Sequence, residues 1–329
     1  MQIISNPAKI DFAKLESFVY NHPNANFFQS PMAYVFFKTV NGYEPVLIAA
    51  EEGKKITAIL LAVIIKDPGI KGFFSKRCIV WGGPLSDKTE LSEVLINELT
   101  NYLKNKAIYT EFRPIGRYNI FSAVSVHKMI REKRLNVLID LTKSANLLSA
   151  EMHSTRRRQI RRGYRRGVAV KIIENLDDEI IENCYSILSA VYNKIKLPYP
   201  PLTFFINSNI YLKDHLKVFL AKVNDDIIGF RFIVCYKDLI YDWYAASKEE
   251  HYDKYPNDIL PWEVMRWGSE NNYKLFDFGG AGKPDEKYGV RDYKIKFGGE
   301  LITTNRYKII HNPLLYNIGK LGIKVLGKL

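Results

Sequence analysis

Apolar spacing runs twice through one order of elements, and that repetition leaves few architectures open to the chain. In the first pass, helical spacing covers Phe12 to Tyr20 and Met32 to Thr39. "EPVLIAAEEGKKITAILLAVIIK" then sets two apolar runs around a polar turn containing Gly53, the mark of a β-hairpin. "RCIVWGGPL" reads as a strand stopped by Gly82, Gly83 and Pro84. Residues 87–105 carry Leu91, Val94, Leu95, Leu99 and Leu103 at helical intervals, and "IYTEFRPI" and "LNVLIDLT" follow as strands. In the second pass, "SANLLSAEMHSTRRRQIRRGYRRG" is helical, "VAVKIIE" is a strand and residues 178–195 form a helix. Three strands come next, turning at Asn224–Asp226 and Lys237–Asp238. A helix at "PWEVMRWGSENN" and a strand at "KLFDFGGAG" close the pass. No residue-level repeat accompanies this order. Two similar α/β (α+β) domains are expected, residues 1–145 and 146–311. The length of 329 residues agrees, since domains run to about 100–200 residues.

The net charge of +13 favours anionic partners: nucleic acid, nucleotide-linked substrates or an anionic membrane surface. A basic composition with no partner behind it is the bland alternative. Cys78, Cys184 and Cys235 are far apart among apolar neighbours, which argues for small buried side chains over disulfides or a zinc site. "MQIISNPAKIDFAKL" shows no signal peptide, and the longest apolar run, "ITAILLAVII", has ten residues, too few to span a bilayer. A cytoplasmic protein is expected. The last segment, "HNPLLYNIGKLGIKVLGKL", aligns Leu314, Ile318, Leu321, Val325 and Leu329 on one stripe and Lys320, Lys324 and Lys328 on another. Such a helix either caps the protein's own core or lies on the inner membrane face.

Several chemistries lack their motifs. There is no phosphate-binding G-x-x-x-x-G-K-[ST] loop, no G-x-S-x-G elbow and no H-E-x-x-H, and the six histidines are scattered. No metal site and no cofactor are expected. Two stretches stand out. Ser154 to Val168 holds seven arginines and no acid. On a helix, Arg158, Arg161, Arg162, Arg165 and Arg166 share one broad side. A solvated face normally mixes signs, whereas forked guanidinium donors suit phosphate oxygens. The second stretch is "KLFDFGGAGKPDEKYGVRDYKIKFGGEL". Here a strand ends at Gly279 and Gly280, where backbone can meet a substrate closely, and a Tyr293–Lys294 pair follows. A lysine beside an aromatic ring can supply fixed positive charge to a developing oxyanion. Asp277, ending its strand at these glycines, is a candidate base.

In order and spacing, "NFFQSPMAYVFFK", "IVWGGPL", "IYTEFRP", "NVLIDL", "MHSTRRRQIRRGYRRGVAV", "PNDILPWEVMRWGSENNYKLFDFGGAG" and "GVRDYKIKFGGEL" resemble the Fem-type (FemXAB) peptidoglycan-bridge aminoacyltransferases from about residue 26 to 310. The resemblance implies two tandem GNAT-like domains, with the tail 312–329 packing back on the first. The chain is too short for the coiled-coil arm some members carry. The resemblance also implies transfer of an amino acid from aminoacyl-tRNA to an amine of a nucleotide- or lipid-linked muropeptide. Carried over position by position, it puts Lys38 on precursor phosphates and Tyr244 in the substrate channel. It makes Tyr293–Lys294 the pair at the reacting centre, its lysine stabilising the tetrahedral intermediate. Members carry a basic helix where Arg158, Arg161, Arg162 and Arg165 stand, for which contact with tRNA or phosphate is inferred. One departure is "KLPYPPLTFF", which lacks the arginine that compact members use on the same phosphates.

Two other readings stay open. An acyl-CoA-dependent GNAT-type transferase in polysaccharide or lipid biosynthesis would normally carry a Q/R-x-x-G-x-G/A loop, and "RPIGRY" and "QIRRGYRRG" both miss its second glycine. A non-catalytic nucleic-acid-binding protein would need neither the glycine loop nor the aromatic–lysine pair. The co-substrate is accordingly aminoacyl-tRNA or acyl-CoA, the partners are tRNA and a cell-wall precursor, and a monomer is expected.

Overall fold

A computed structural model describes residues 1–67, 69, 71–86, 88–117 and 129–326. The chain forms two compact units, Met1–Lys133 with Thr304–Leu329, and Arg134–Thr303.

The first unit begins with β1 (Gln2–Ile4), α1 (Phe12–Asn21), α2 (Pro31–Thr39), β2 (Tyr43–Glu52) and β3 (Lys55–Ile65). A short helix α3 (Lys71–Ser75) leads to β4 (Arg77–Trp81), β5 (Leu85–Ser86), α4 (Thr89–Leu103) and β6 (Tyr109–Arg113). Gly53 and Lys54 both take positive φ, 54° and 66°, so the hairpin closes on the tight turn that matches strand twist. From Ala58 onward β3 is buried on both faces, which is why its apolar residues run without alternation. Leu91, Leu95, Leu99 and Leu103 of α4 pack on Val46, Ile48, Leu60 and Val80. The motifs "NFFQSP" and "WGGP" belong together physically. Gln29 donates to the Gly83 carbonyl at 2.7 Å and its own carbonyl receives the Asn26 amides. A Cβ on Gly82 would stand 2.3 Å from the Asn26 amide, so only glycine fits there.

The second unit receives β7 (Ile130–Asp140) from Arg134 on. It continues through α5 (Ala145–Glu151), α6 (Ser154–Arg165), β8 (Val168–Ile173), α7 (Asp178–Lys194), α8 (Leu202–Tyr211), β9 (Leu216–Val223), β10 (Asp226–Tyr236) and β11 (Leu239–Ser247). Then come α9 (Pro256–Glu270), β12 (Leu275–Gly280) and α10 (Gly289–Ile295). β13 (Glu300–Ile310) and α11 (Pro313–Leu326) return the chain to the first unit from Thr304 on. Strand order is β1-β2-β3-β4-β6-β13 in the first unit and β7-β12-β11-β10-β9-β8 in the second. In each, an antiparallel hairpin is followed by a parallel pair, β4 with β6 and β11 with β12, and then an antiparallel closing strand. The repeated element order is thus a repeated topology.

Some local expectations change. The segment 144–167 is two helices, not one: Met152 turns to an extended ψ of 148° to enter the core, and the His153 N–H is drawn to the Lys296 carbonyl at 2.9 Å. Helix α8, helix α10 and β13 lie where no element was expected. In α11, Leu314 and Ile318 face solvent, while Tyr316 meets Tyr109 edge-on at 5.5 Å. The side chains of Leu321, Lys324 and Val325, and residues Lys328 and Leu329, lie outside the described residues. All three cysteines are buried, which pushes their thiols up to about 12.

A charged cluster holds the first unit together at β6 and β13. Glu111 is buried, with Arg113 at 2.6 Å and Arg306 and Lys308 at 3.3 Å. Burial pulls its pKa upward, but Arg113, Arg306 and Lys308 overcome that and hold it at about 2. A carboxylate with a lowered native pKa stabilises the fold above its unfolded value and loses that contribution as pH falls. Glu111→Gln is expected to cost about 2 kcal/mol at pH 7, a charged hydrogen-bond value reduced for the exposure of the two arginines. The difference between variant and wild type should shrink between pH 4.5 and about 2 in urea titrations.

Candidate active site

The parallel pairing of β11 and β12 lasts three residues, Leu239–Tyr241 against Leu275–Asp277. Beyond it β12 continues along β7 through a bulge between Asp277 and Gly280, where Gly279 takes φ of 79°. Asp277 is fully buried and builds this bulge, accepting from the Gly279 N–H and from Asn136, both at 2.9 Å. A bulge re-aims backbone groups. Here it turns the carbonyls of Phe278 and Gly280 onto the Lys294 ammonium, the second at 3.1 Å. Two of the three ammonium donors are thus used, and the third has no protein acceptor among the described residues.

Lys294 sits half-buried on α10, its Nζ 5.1 Å from the centre of the Phe278 ring. Burial lowers its pKa to about 8. Asp242 and Asp277 oppose the shift and the Arg231 cation reinforces it. Tyr293, its neighbour, has its hydroxyl committed to the Asn257 carbonyl and, through burial, a pKa far above the ordinary value. Its ring lies against Phe297 at 5.3 Å and under the Arg156 guanidinium at 4.7 Å. Of the pair, Lys294 has a donor to offer a reacting group and Tyr293 fixes the helix that carries it.

Arg156, partly buried, is paired with Asp258 of α9. Its role separates the seven arginines into two sets. Arg157 donates to the Ser149, Ala150 and Met152 carbonyls at the end of α5, where a cation suits the helix dipole. Arg166 pairs with Asp253. Arg158, Arg161, Arg162 and Arg165 are exposed, and among the described residues none meets a carboxylate. The other side of α6 presses Ile160 and Gly163 onto α9. A Cβ on Gly163 would come within 2.4 Å of Ile259 and 2.6 Å of the Lys254 carbonyl. Gly163→Ala, although alanine favours helix, is therefore expected to destabilise the protein by about 1–3 kcal/mol through overpacking, as thermal unfolding would register.

The remaining sequence candidates separate. Gly279 and Gly280 belong to the bulge under Lys294. Tyr244 is opposite Phe232, packed edge-on against Phe204 and Phe205 of α8. The register shift at Trp243 puts Asp242 opposite Ile233, on the other face of the sheet from Tyr244. Lys38 is exposed in the last turn of α2, in the first unit. Sequence reading passed over Arg231 and Asp242. Arg231 is buried in mid-strand and holds Asp242 at 2.5 Å, 5.3 Å above the Phe278 ring. The signal was there: a cation inside "IIGFRFIVC" and an acid inside "LIYDWY" each need a buried partner. Among the described residues no three His, Cys, Asp or Glu side chains form a metal-binding group.

Residues 10–134 match the FemAB family and residues 153–294 the acetyltransferase (GNAT) domain. No curated protein sequence matches the chain. A solved structure of FemX superposes with a TM-score of 0.70 at 15% identity, over 97% of this chain and 99% of that one. L-PGS from Bacillus licheniformis gives 0.61 at 15% identity, over 94% and 96%. A tandem GNAT protein from the clavulanic acid biosynthesis pathway gives 0.59 at 9% identity, over 95% and 99%. At such identities these structures speak for the fold, and the family matches tie each unit to its kind. Residues in the first unit thus match the FemAB family and residues in the second the GNAT domain, and the chain as a whole shares the fold of FemX and of a tandem GNAT protein.

Proposed function

We propose that the chain is an N-acyltransferase that moves an amino acid from aminoacyl-tRNA to a primary amine of a cell-wall precursor, a muropeptide carried on a nucleotide or lipid. The observation carrying the reading is Lys294: a cation oriented by two carbonyls, with one N–H left to meet an oxyanion. In the reaction the acceptor nitrogen attacks the ester carbonyl and the C–N bond forms. The carbonyl oxygen becomes an oxyanion, which accepts from Lys294. Collapse breaks the C–O bond, and the tRNA 3′ hydroxyl leaves with the proton given up by the amine. An ester is electrophilic enough that positioning and oxyanion stabilisation supply the rate, with no covalent enzyme intermediate. The exposed arginines of α6 are the proposed grip for tRNA phosphates, and Lys38 is the proposed contact for precursor phosphates. No cofactor beyond the donor is required, and the chain acts as a monomer. Among the described residues no helix is long and apolar enough to cross a membrane, and contact with the inner membrane face would be peripheral.

The GNAT match over residues 153–294 favours a second reading, an acyl-CoA donor in polysaccharide or lipid biosynthesis. The deciding experiment incubates purified protein with radiolabelled aminoacyl-tRNA or radiolabelled acetyl-CoA and UDP-linked muramyl pentapeptide. Label entering the pentapeptide from tRNA, and lost with Lys294→Met, supports the first reading. Label entering only from acetyl-CoA replaces it with the second.

A further inference from the structure

A buried arginine and a partly buried aspartate of the second unit have no part in the transfer step described above. Arg231 is 4% exposed and gives its Nη1 to Asp242 Oδ2 at 2.5 Å. The pair is incompletely used. Arg231 Nε and Asp242 Oδ1 are both shut off from solvent and find no hydrogen-bond partner in the protein. Buried polar atoms are nearly always satisfied, and one left over beside a reacting centre calls for a partner that a bound substrate can supply. Here two are left over on one ion pair. The pair also borders the reacting centre, since the Phe278 ring faces Arg231 at 5.3 Å and Lys294 Nζ at 5.1 Å.

The chemistry of the missing group follows from the unused atom on Asp242. A carboxylate oxygen only accepts, and in a low-dielectric surrounding its best partner is a charged N–H donor. Lys294 is not that donor, because its ammonium is turned to the Phe278 and Gly280 carbonyls. Arg231 is held on the other oxygen. The register shift at Trp243 is what presents Asp242 on the Arg231 side of the sheet, so local backbone irregularity maintains the arrangement.

We propose that Asp242, braced by Arg231, receives a primary ammonium group of the substrate beside Lys294. The inference rests on the aminoacyl-transfer reading, in which two such groups reach the centre: the α-ammonium of the donor amino acid and the amine of the acceptor. Each source makes the site selective for amine-bearing substrates over plain acyl groups.

Calorimetric binding to the intact protein tests this without turnover. The donor probes are 3′-alanylamido-adenosine and its 3′-lactylamido counterpart, which replaces the amine by a hydroxyl. The acceptor probes are UDP-linked muramyl pentapeptide with its lysine amine free or acetylated. The expected result is at least a tenfold preference for the amine form in one of the two pairs, abolished by Asp242→Asn. Preference within the donor pair assigns the site to the α-ammonium, and preference within the acceptor pair assigns it to the incoming amine. Because Asp242→Asn strands a buried Arg231, the double variant Arg231→Gln/Asp242→Asn, which removes both charges, is measured alongside and should abolish the same preference. Equal binding within both pairs by wild type, or a preference that survives in the folded variants, overturns the proposal. Radiolabelled transfer is scored separately. Transfer without amine preference sinks this inference alone, and amine preference without transfer sinks only the reaction assigned above.

Discussion

Lys294→Met is expected to lower kcat by about 10²–10³, the usual effect of losing one oxyanion donor, with little change in KM for the donor. A methionine keeps the bulk of the side chain and removes only the charge and its donors, so the loss should sit in the chemical step. The pH profile is the sharper check. The native lysine has its pKa lowered to about 8, chiefly by burial. Lys294 is protonated below that value, so the wild-type rate should fall as pH rises through about 8. Lys294→Arg keeps a cation there, and in it the falling limb should disappear even if misplacement lowers the rate overall. A base at this position would give the opposite limb, rising toward pH 8, and would end the oxyanion assignment. The same shift has a consequence for stability. The unfolded chain binds this proton more tightly than the folded one, so the charged lysine opposes folding below about pH 8. That opposition fades as pH rises from about 8 to 10.5.

The second large effect concerns the arginines. Changing Arg158, Arg161, Arg162 and Arg165 together to Gln should leave the fold intact, because all four are exposed and none meets a carboxylate among the described residues. Each phosphate contact contributes about 0.7–0.9 to the slope of log affinity against log salt. The quadruple variant should therefore bind tRNA with a slope shallower by about 3. KM for aminoacyl-tRNA should rise accordingly, while kcat at saturating tRNA stays near wild type. Arg157→Gln is the contrasting control. It removes three carbonyl contacts at the end of α5 and should lower thermal stability while leaving the salt slope unchanged. Equal slopes for wild type and quadruple variant would remove the nucleic-acid role from α6.

Much of this architecture is legible in local pattern. A strand buried on both faces must be apolar throughout, and a helix lying on a sheet must carry its stripe every three or four residues. β3 and α4 show both rules, and the two passes of the pattern become two units of one topology. The turn at Gly53 is equally local, because only its backbone conformation closes the hairpin. Helix α10 is harder to see, since seven residues give periodicity too little length, and β13 alternates clearly only from Asn305 to Ile309.

The candidate site was partly visible. Lys294, Gly279 and Gly280 stand out by residue type, and the arginine run stands out by charge alone. Sequence by itself determined that seven cations share one short segment and that a lysine follows a glycine-ended strand. Tertiary structure alone decided which of those arginines are tied down, because Arg156 finds Asp258 across 102 positions and Arg166 finds Asp253 across 87. It decided that Tyr244 and Asp242 part to opposite faces, through one extra residue at Trp243. It also decided that Lys294 carries a lowered pKa, through burial and, to a smaller extent, through the Arg231 cation. The physical reason is common to all three. Periodicity records which face of an element is buried, whereas the partner of a buried charge is set by packing between elements far apart in the chain.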